Sequence, residues 1–262
     1  MTADAAAPGS PAAPGSPAAP GSPAAGSAFA ASSARASQEP PVALVPPPGR
    51  GVWRLGKRDR PVRYNRVEPE TALGSAAGRF SLFTYGTLYC ATDHAGCYAE
   101  GLVKFRVSPK LRPFLEEDVS GRRAMRNGHL PSDWREDHIL VRLLPGDDAR
   151  FLDVDAESTR EYLTKELQVE LADLGVSGLL TEDHIYGRDR RVARQIAAWM
   201  VAQRNRDGHR LAQGIAYRSD YGGRRCWAVL SDVDLKEAER CPIKAEDVDL
   251  RSVATEYGLT IR

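Results

Sequence analysis

Apolar residues alternate with polar ones, or cluster in short runs, at six places along the chain, and each place predicts a β-strand. Glycine, proline and aspartate bound these runs, as is usual for short strands. The predicted strands cover residues 52–55, 88–91, 139–144, 151–154, 214–219 and 226–231. Residues 220–223, with the sequence Asp-Tyr-Gly-Gly, are typical of a hairpin turn between the last two strands.

Apolar residues spaced three or four positions apart predict helices over residues 93–104, 156–174 and 188–206. Several prolines and glycines make the segment 108–135 irregular in this interpretation. Strands and helices do not alternate regularly, and no G-x-G-x-x-G follows a strand. We therefore predict an α+β fold rather than a doubly wound dinucleotide-binding fold.

The first 49 residues differ in composition from the remainder of the chain. They consist mainly of Ala, Pro, Ser and Gly, and the hexapeptide AAPGSP occurs three times in register between residues 6 and 23. Such a sequence cannot bury enough apolar surface to offset the entropy of the chain. We expect a disordered tail over 1–49, a folded domain over 50–232 and an acidic C-terminal extension over 233–262.

The balance of charges and the apolar runs exclude several classes of protein. The 262 residues include 36 Lys and Arg against 35 Asp and Glu, which argues against nucleic-acid binding driven by phosphate contacts. No apolar run approaches the roughly 18 residues of a membrane span, and the N-terminus resembles no secretory signal, so a cytoplasmic location is expected. The four cysteines and five histidines have no metal-ligand spacing, and no metal site is predicted.

Four short segments carry side chains suited to chemistry. Arg54 lies in an apolar strand, and Arg79 lies between a glycine and a phenylalanine. Tyr89 lies in a predicted strand, and Glu100 follows eleven residues later in a predicted helix. Ser219 ends a later strand. Each residue alone also fits an ordinary role, such as an ion pair, core packing or a solvated helix position.

The order WRL, GRF, YGTLYCATD, YAE, GIAYRSDYGG and WAVL resembles the RES domain, a family named for its Arg, Glu and Ser. That family has an early arginine, a Gly-Arg-aromatic element, a strand tyrosine followed by a glutamate, and a late Tyr-x-Ser. The resemblance covers residues 50–232. This chain has Ser81 where many members have Asn or Asp after the Gly-Arg-aromatic element.

The resemblance implies a fold similar to that of ADP-ribosyltransferase toxins, with small twisted sheets and helices around an NAD cleft. It also implies an enzyme that cleaves the nicotinamide–ribose bond of NAD by phosphorolysis or hydrolysis, or transfers ADP-ribose to a protein. NAD would be a substrate, no further cofactor is expected, and inorganic phosphate would be a candidate co-substrate. The family further implies a toxin with a helix-turn-helix antitoxin as its partner; homo-oligomerisation is left open.

The resemblance assigns roles to five residues. Glu100, Arg79 and Ser219 match the name-giving catalytic residues, and Arg54 and Tyr89 match the early arginine and the strand tyrosine. A carboxylate at Glu100 can stabilise an oxocarbenium-like ribose and orient water or phosphate. Arg54 and Arg79 suit the diphosphate of NAD, because guanidinium binds phosphate with paired donors. Tyr89 suits stacking on nicotinamide, and Ser219 suits a hydrogen bond to the amide or a phosphate.

Two other functional classes remain open from the sequence. One is a RES-like module that binds NAD or ADP-ribose without turnover. The other is a DNA-binding or scaffold protein, for which the arginine-rich segments 122–126 and 188–194 could be cited. Nearby acidic residues and the near-neutral charge favour a solvated helix face instead.

Overall fold

The structure is a computed structural model, and it describes residues 39–67, 78–108, 110–111, 114 and 121–262. Most of the predicted tail, residues 1–38, lies outside the described residues, as does part of the segment 108–135. The described strands are β1 Leu44–Val45, β2 Val52–Lys57, β3 Thr87–Ala91, β4 His129–Leu130, β5 His138–Pro145, β6 Phe151–Asp153, β7 Gly214–Arg218, β8 Arg225–Leu230, β9 Leu235–Pro242 and β10 Thr260–Ile261. The described helices are α1 His94–Leu102, α2 Gly121–Arg126, α3 Ser132–Asp137, α4 Glu157–Glu166, α5 Gln168–Asp173, α6 Glu182–Tyr186, α7 Arg191–Ala202 and α8 Val248–Tyr257.

Eight strands form one mixed sheet in the order β1-β6-β7-β8-β3-β2-β5-β9. Neighbouring strands are antiparallel except β6 and β7, which run parallel. A parallel pair requires a long crossover, and α4 to α7 provide it. Strands β4 and β10 pair separately in parallel. The fold is α+β, as the sequence predicts.

The central strand β3 is covered on both faces of the sheet. Leu88 and Cys90 contribute to a core cluster formed by strands and loops, whereas Tyr89 and Ala91 contact a larger cluster that includes the helices. This division follows from the two-residue period of a strand. Because both faces are covered, β3 appears in the sequence as a compact apolar run.

All six strands predicted from the sequence are present, with ends within two residues of the prediction. The helical predictions need three corrections. The helix expected over 156–174 is divided at Leu167 into α4 and α5, because Leu167 has a non-helical backbone with φ −105° and ψ 23°. The helix expected over 188–206 covers only Arg191–Ala202, and the segment 108–135, expected to be irregular, contains α2, β4 and part of α3.

The C-terminal residues pack on the elements that surround the candidate site. Strand β9 pairs with β5 along the edge of the sheet, and α8 packs against α1. The Tyr98 hydroxyl on α1 donates to Asp247 Oδ2 at 2.8 Å, and the Tyr257 hydroxyl donates to the Ala99 carbonyl at 3.3 Å. Helix α1 is therefore held in place by residues at the end of the chain.

In the part of the chain that the structure describes, no helix is both long and apolar enough to span a bilayer. The four cysteines are free thiols, and Cys90, Cys97 and Cys226 are buried. Burial raises the pKa of Cys90 to about 12, so this thiol stays protonated at neutral pH.

Replacing Tyr98 with Phe should lower the free energy of unfolding by about 1–2 kcal/mol, because Asp247 loses a buried donor. Urea unfolding monitored by circular dichroism measures this change. The control is a double-mutant cycle with Asp247→Asn, since asparagine preserves the helix cap that Asp247 forms on α8. A neutral Tyr98→Phe variant would contradict the assigned role of this bond.

Candidate active site

Glu100 and Ser219 meet although 119 residues separate them in the sequence. Asp93 caps α1 by accepting from the Gly96 amide at 2.7 Å, which fixes the start of the helix that carries Glu100. Ser219 directly follows β7 and is almost completely buried. Its hydroxyl donates to Glu100 Oε1 at 2.5 Å and accepts from the Tyr221 amide at 3.0 Å. The serine therefore orients the carboxyl group of Glu100.

The Glu100 carboxyl lies in surroundings that disfavour its charged form. Burial raises the pKa of Glu100 above its ordinary value of 4.5, while the Ser219 hydrogen bond lowers it. Asp220 raises the same pKa and Arg79 lowers it, both through their charges and both less strongly. A buried carboxyl with a raised pKa beside a cavity is typical of a functional group.

The Tyr89 hydroxyl stabilises the turn that carries Arg79. Its hydroxyl accepts from the Phe80 amide at 2.9 Å and lies 2.9 Å from the Ser81 hydroxyl. Gly78 makes this possible, because a Cβ at that position would overlap the Tyr89 ring and hydroxyl. Burial raises the pKa of Tyr89 to about 12, so the hydroxyl remains neutral. The structure thus gives Ser81, the departure from the family pattern, a hydrogen-bonding partner.

Arg54 links β2 to β3. The register between these strands pairs only Trp53 with Ala91, and Arg54 Nη1 donates to the Tyr89 carbonyl at 2.7 Å. Arg54 Nε is buried and has no hydrogen-bond partner among the described residues. A guanidinium with an unpaired donor, in the same cavity lining as a carboxyl group, is suited to an oxygen-rich ligand.

Arg54, Tyr89 and Glu100 line a cavity of about 170 Å³, which we call the small cavity. Tyr217 also lines it and is buried, with its ring 5.1 Å from that of Phe80. The small cavity therefore combines aromatic surface with one carboxyl and one guanidinium group. The structure brings together four sequence-predicted features here: Arg54, Tyr89, Glu100 and, behind the carboxyl, Ser219.

Both terminal nitrogens of the Arg79 guanidinium are bonded to other groups of the protein. Nη1 donates to the carbonyls of Ile185 and Gly187 at 2.8 and 3.0 Å, and Nη2 forms an ion pair with Asp220 at 3.0 Å. The guanidinium also lies 5.5 Å from the centre of the Tyr186 ring. Arg79 therefore ties the end of α6 to the segment that follows Ser219.

A second cavity of about 430 Å³ opens beside Arg79, and we call it the arginine cavity. Tyr186, Asp189 and Asp220 contribute to its lining. Its five arginines are Arg79, Arg188, Arg190, Arg191 and Arg194. The sequence favours a solvated helix face for the four arginines beyond Arg79, because it does not show that α7 begins beside the Gly78–Ser81 turn. Their density within seven residues is the signal in the sequence that points to this cavity.

The two cavities are neighbours. Asp220, which lines the arginine cavity, follows Ser219 directly, and the charges of Asp220 and Arg79 both act on the pKa of Glu100 in the small cavity. The charges of Arg190 and Arg194 likewise lower the pKa of Tyr89. One elongated ligand could therefore contact both cavities.

Among the described residues, one group of side chains brings metal-ligating atoms within 4.8 Å of one another: His94, Asp247 and Asp249. Asp247 already caps α8 and accepts from Tyr98, and Asp249 lies in the first turn of α8. These helix contacts account for both carboxylates, and we assign no metal to the group.

Replacing Glu100 with Gln should raise the free energy of unfolding at pH 7 by about 0.5–2 kcal/mol, the usual range for a single stabilising substitution. The wild-type chain must keep a carboxylate that burial disfavours, because the pKa of Glu100 is raised in the folded state. As the pH falls through this raised pKa towards 4.5, Glu100 takes up its proton and the advantage of Gln should disappear. Urea unfolding at pH 7 and at pH 4.5 measures the difference.

The control for this measurement is Glu161→Gln on the exposed face of α4, which should change stability little at either pH. A Glu100→Gln variant less stable than the wild type at pH 7 would instead identify Glu100 as a stabilising ion-pair partner.

Comparison with known proteins identifies the family to which the chain belongs. The sequence profile of the RES domain matches residues 51–252. Among solved structures, the chain is similar to one in the crystal structure of the M. tuberculosis MbcT–MbcA toxin–antitoxin complex, at 15% identity and a TM-score of 0.42. That match covers 82% of this chain and 91% of the other. A search of curated proteins gave no significant match. Because the family profile spans most of the chain, the protein belongs to the RES domain family.

Proposed function

We propose that the protein is an enzyme that cleaves the bond between nicotinamide and ribose in NAD. The observation that carries this proposal is the buried Glu100 carboxyl, oriented by Ser219 at 2.5 Å and facing the small cavity together with Arg54. Membership of the RES domain family supports the same activity. NAD is the substrate, and no additional cofactor is part of the proposal.

The chemistry uses the residues of the small cavity in distinct ways. The bond from C1′ of ribose to the nicotinamide nitrogen breaks, and its electron pair leaves with neutral nicotinamide. Positive charge then develops on the ribose ring, where the Glu100 carboxylate stabilises it. An oxygen of water or phosphate forms the new bond to C1′, and Glu100 orients water or accepts its proton.

The small cavity also offers contacts for the uncharged part of the substrate. The rings of Tyr89 and Tyr217 provide aromatic surface for the nicotinamide ring. Because the Tyr89 hydroxyl is held by Phe80 and Ser81, the ring keeps its orientation when the cavity is empty. A preformed aromatic wall reduces the entropy that substrate binding costs.

Three acceptors are compatible with this site: inorganic phosphate, water and a protein side chain. Arg54 Nε, with no hydrogen-bond partner among the described residues, favours an anionic acceptor, and so we place phosphorolysis first. Protein ADP-ribosylation is the alternative that the family allows.

We further propose that the protein acts in the cytoplasm as the toxin of a toxin–antitoxin pair. Its helix-turn-helix antitoxin would cover the cleft and exclude NAD. Family membership supports this biological role.

Replacing Glu100 with Gln should reduce NAD cleavage about 10²–10⁴-fold, because the transition state loses its carboxylate. Phosphorus NMR of NAD incubated with the protein, with and without inorganic phosphate, measures the rate and the product. Loss that depends on phosphate, with ADP-ribose-1″-phosphate as product, identifies phosphorolysis, whereas free ADP-ribose identifies hydrolysis.

Glu161→Gln is the matched control and should keep wild-type activity. If NAD stabilised the wild-type fold but was not cleaved, the protein would be a module that binds NAD rather than an enzyme. Expression in bacteria tests the proposed toxicity. Cells that express the wild-type protein should stop growing, whereas cells that express the Glu100→Gln variant should continue to grow.

Replacing Ser219 with Ala should move the acidic limb of the pH profile of kcat/KM to higher pH. The Ser219 hydroxyl lowers the pKa of Glu100, so its removal raises that pKa further and less carboxylate is present at a given pH. We also expect kcat to fall about ten- to a hundredfold, the usual effect of losing one hydrogen bond to a charged group. Ser158→Ala on the exposed face of α4 is the control. An unmoved acidic limb would mean that Ser219 does not act through Glu100.

A further inference from the structure

Arg224 closes the turn that follows Ser219. The Ser219 amide donates to the Arg224 carbonyl at 2.8 Å, and Arg224 Nη1 donates to the Tyr221 carbonyl at 2.8 Å. Gly222 leaves space for this arrangement, because a Cβ at that position would overlap the guanidinium. The backbone and the side chain of Arg224 therefore both hold the turn in which the Tyr221 amide donates to the Ser219 hydroxyl.

The same guanidinium also binds the C-terminal helix. Arg224 Nη2 forms an ion pair with Glu256 Oε2 at 2.9 Å, and the Arg224 side chain is only 20% exposed. The next residue of α8, Tyr257, donates from its hydroxyl to the carbonyl of Ala99, which directly precedes Glu100. Two successive residues at the end of α8 therefore hold the turn after β7 and the helix α1.

Arg224 lies against the start of α1 as well. A Cβ at Gly96, in the first turn of α1, would lie 3.7 Å from the Arg224 Cβ. The pKa of Arg224 is raised chiefly by its hydrogen bond to Glu256, and the charge of Asp93 acts in the same direction. Because Asp93 caps α1, the guanidinium lies where the start of α1, the turn after β7 and the end of α8 meet.

We propose that Arg224 is a positioning residue: by joining the turn after β7 to α8, it keeps the Ser219 hydroxyl within hydrogen-bonding distance of the Glu100 carboxyl. Among the described residues, Arg224 is not part of the lining of either cavity, so it acts through Ser219 and not on a bound ligand. The effect on catalysis rests on the proposed function, whereas the effect on the hydrogen bond does not.

The groups that surround Glu100 come from several elements. Its pKa is raised by burial, lowered by the Ser219 hydrogen bond, raised by the charge of Asp220 and lowered by that of Arg79. The other charged or titratable groups around it are Arg54 on β2, Tyr217 on β7, Cys226 on β8 and Tyr257 on α8. Among the described residues, the charges that shift this pKa are those of Asp220 and Arg79, so Arg224 should affect it through the position of Ser219.

NMR titration of the glutamate carboxyl carbons tests this role without substrate. The resonance of Glu100 is assigned by its absence from the spectrum of Glu100→Gln. Replacing Arg224 with Gln should raise the pKa of Glu100 by about half a pH unit or more, because the Ser219 bond that lowers this pKa is weakened. The double variant Ser219→Ala/Arg224→Gln should titrate like Ser219→Ala alone, since no hydroxyl is left to position.

The pH profile of NAD cleavage provides the kinetic readout. Arg224→Gln should move the acidic limb of kcat/KM to higher pH and reduce kcat about three- to tenfold, less than Ser219→Ala does. Arg224→Lys keeps the positive charge but lacks the two nitrogens that bind Tyr221 and Glu256 together. It should therefore fail to restore the wild-type profile.

The matched control is Arg240→Gln, which removes an exposed arginine and its ion pair with Glu237 from β9. It should change neither the pKa of Glu100 nor the pH profile. Circular dichroism verifies that each variant is folded. Glu256→Ala is a milder second variant, because it breaks only the bond between Arg224 and α8, and it should shift the pKa of Glu100 in the same direction.

Three results would overturn the inference: an unchanged pKa of Glu100 in both Arg224→Gln and Glu256→Ala, a wild-type titration in Arg224→Lys, or a further shift when Arg224→Gln is added to Ser219→Ala. The second result would mean that the charge of Arg224 acts alone. The third would mean that Arg224 acts on Glu100 by a route that does not involve Ser219.

The positioning role and the proposed function fail in different ways. If Arg224→Gln shifts the pKa of Glu100 but the wild-type protein does not cleave NAD, the enzymatic proposal fails and the positioning role stands. If the wild type cleaves NAD and Glu100→Gln does not, while Arg224→Gln titrates and cleaves like the wild type, only the positioning role is refuted.

Discussion

Burial of the Glu100 carboxyl is the constraint around which the site is built. A carboxylate removed from water needs hydrogen-bond donors or positive charge nearby, and Ser219 supplies the closest donor. Ser219 is fixed by the strand β7 that precedes it and by the amide of Tyr221. Helix α1, which carries Glu100, is anchored in turn through Tyr98 and α8. The sheet, α1 and the C-terminal helix therefore all contribute to the position of one side chain.

Arg79 and Tyr89, which are expected to contact substrate, also hold neighbouring segments of the protein together. Arg79 binds two carbonyls and Asp220, and Tyr89 binds the turn in which Arg79 lies. These bonds connect β3, the end of α6 and the segment after β7. Hydrogen bonds within such a network strengthen one another in a partly buried setting. The cleft is consequently organised before any ligand enters it.

The sequence predicts those parts of this architecture that depend on local pattern. Alternation and short apolar runs give all six predicted strands, and the spacing from Tyr89 to Glu100 follows from a strand and the helix after it. Strand β9 escapes prediction because, at the edge of the sheet, it consists largely of exposed charged residues. The arginine cavity escapes because it depends on α7 meeting a turn about 110 residues earlier in the chain, and such contacts leave no periodic trace in the sequence.

The separation of Glu100 from Ser219 has a consequence for the synthesis of the protein. A chain released from the ribosome residue by residue has α1 long before it has β7, and it acquires α8 later still. Until those later segments emerge, Glu100 has neither its hydroxyl partner nor the helix that supports α1. The site is thus absent from every nascent chain shorter than most of the domain. A cell that translates this protein meets the assembled cleft only after both Ser219 and α8 have been synthesised.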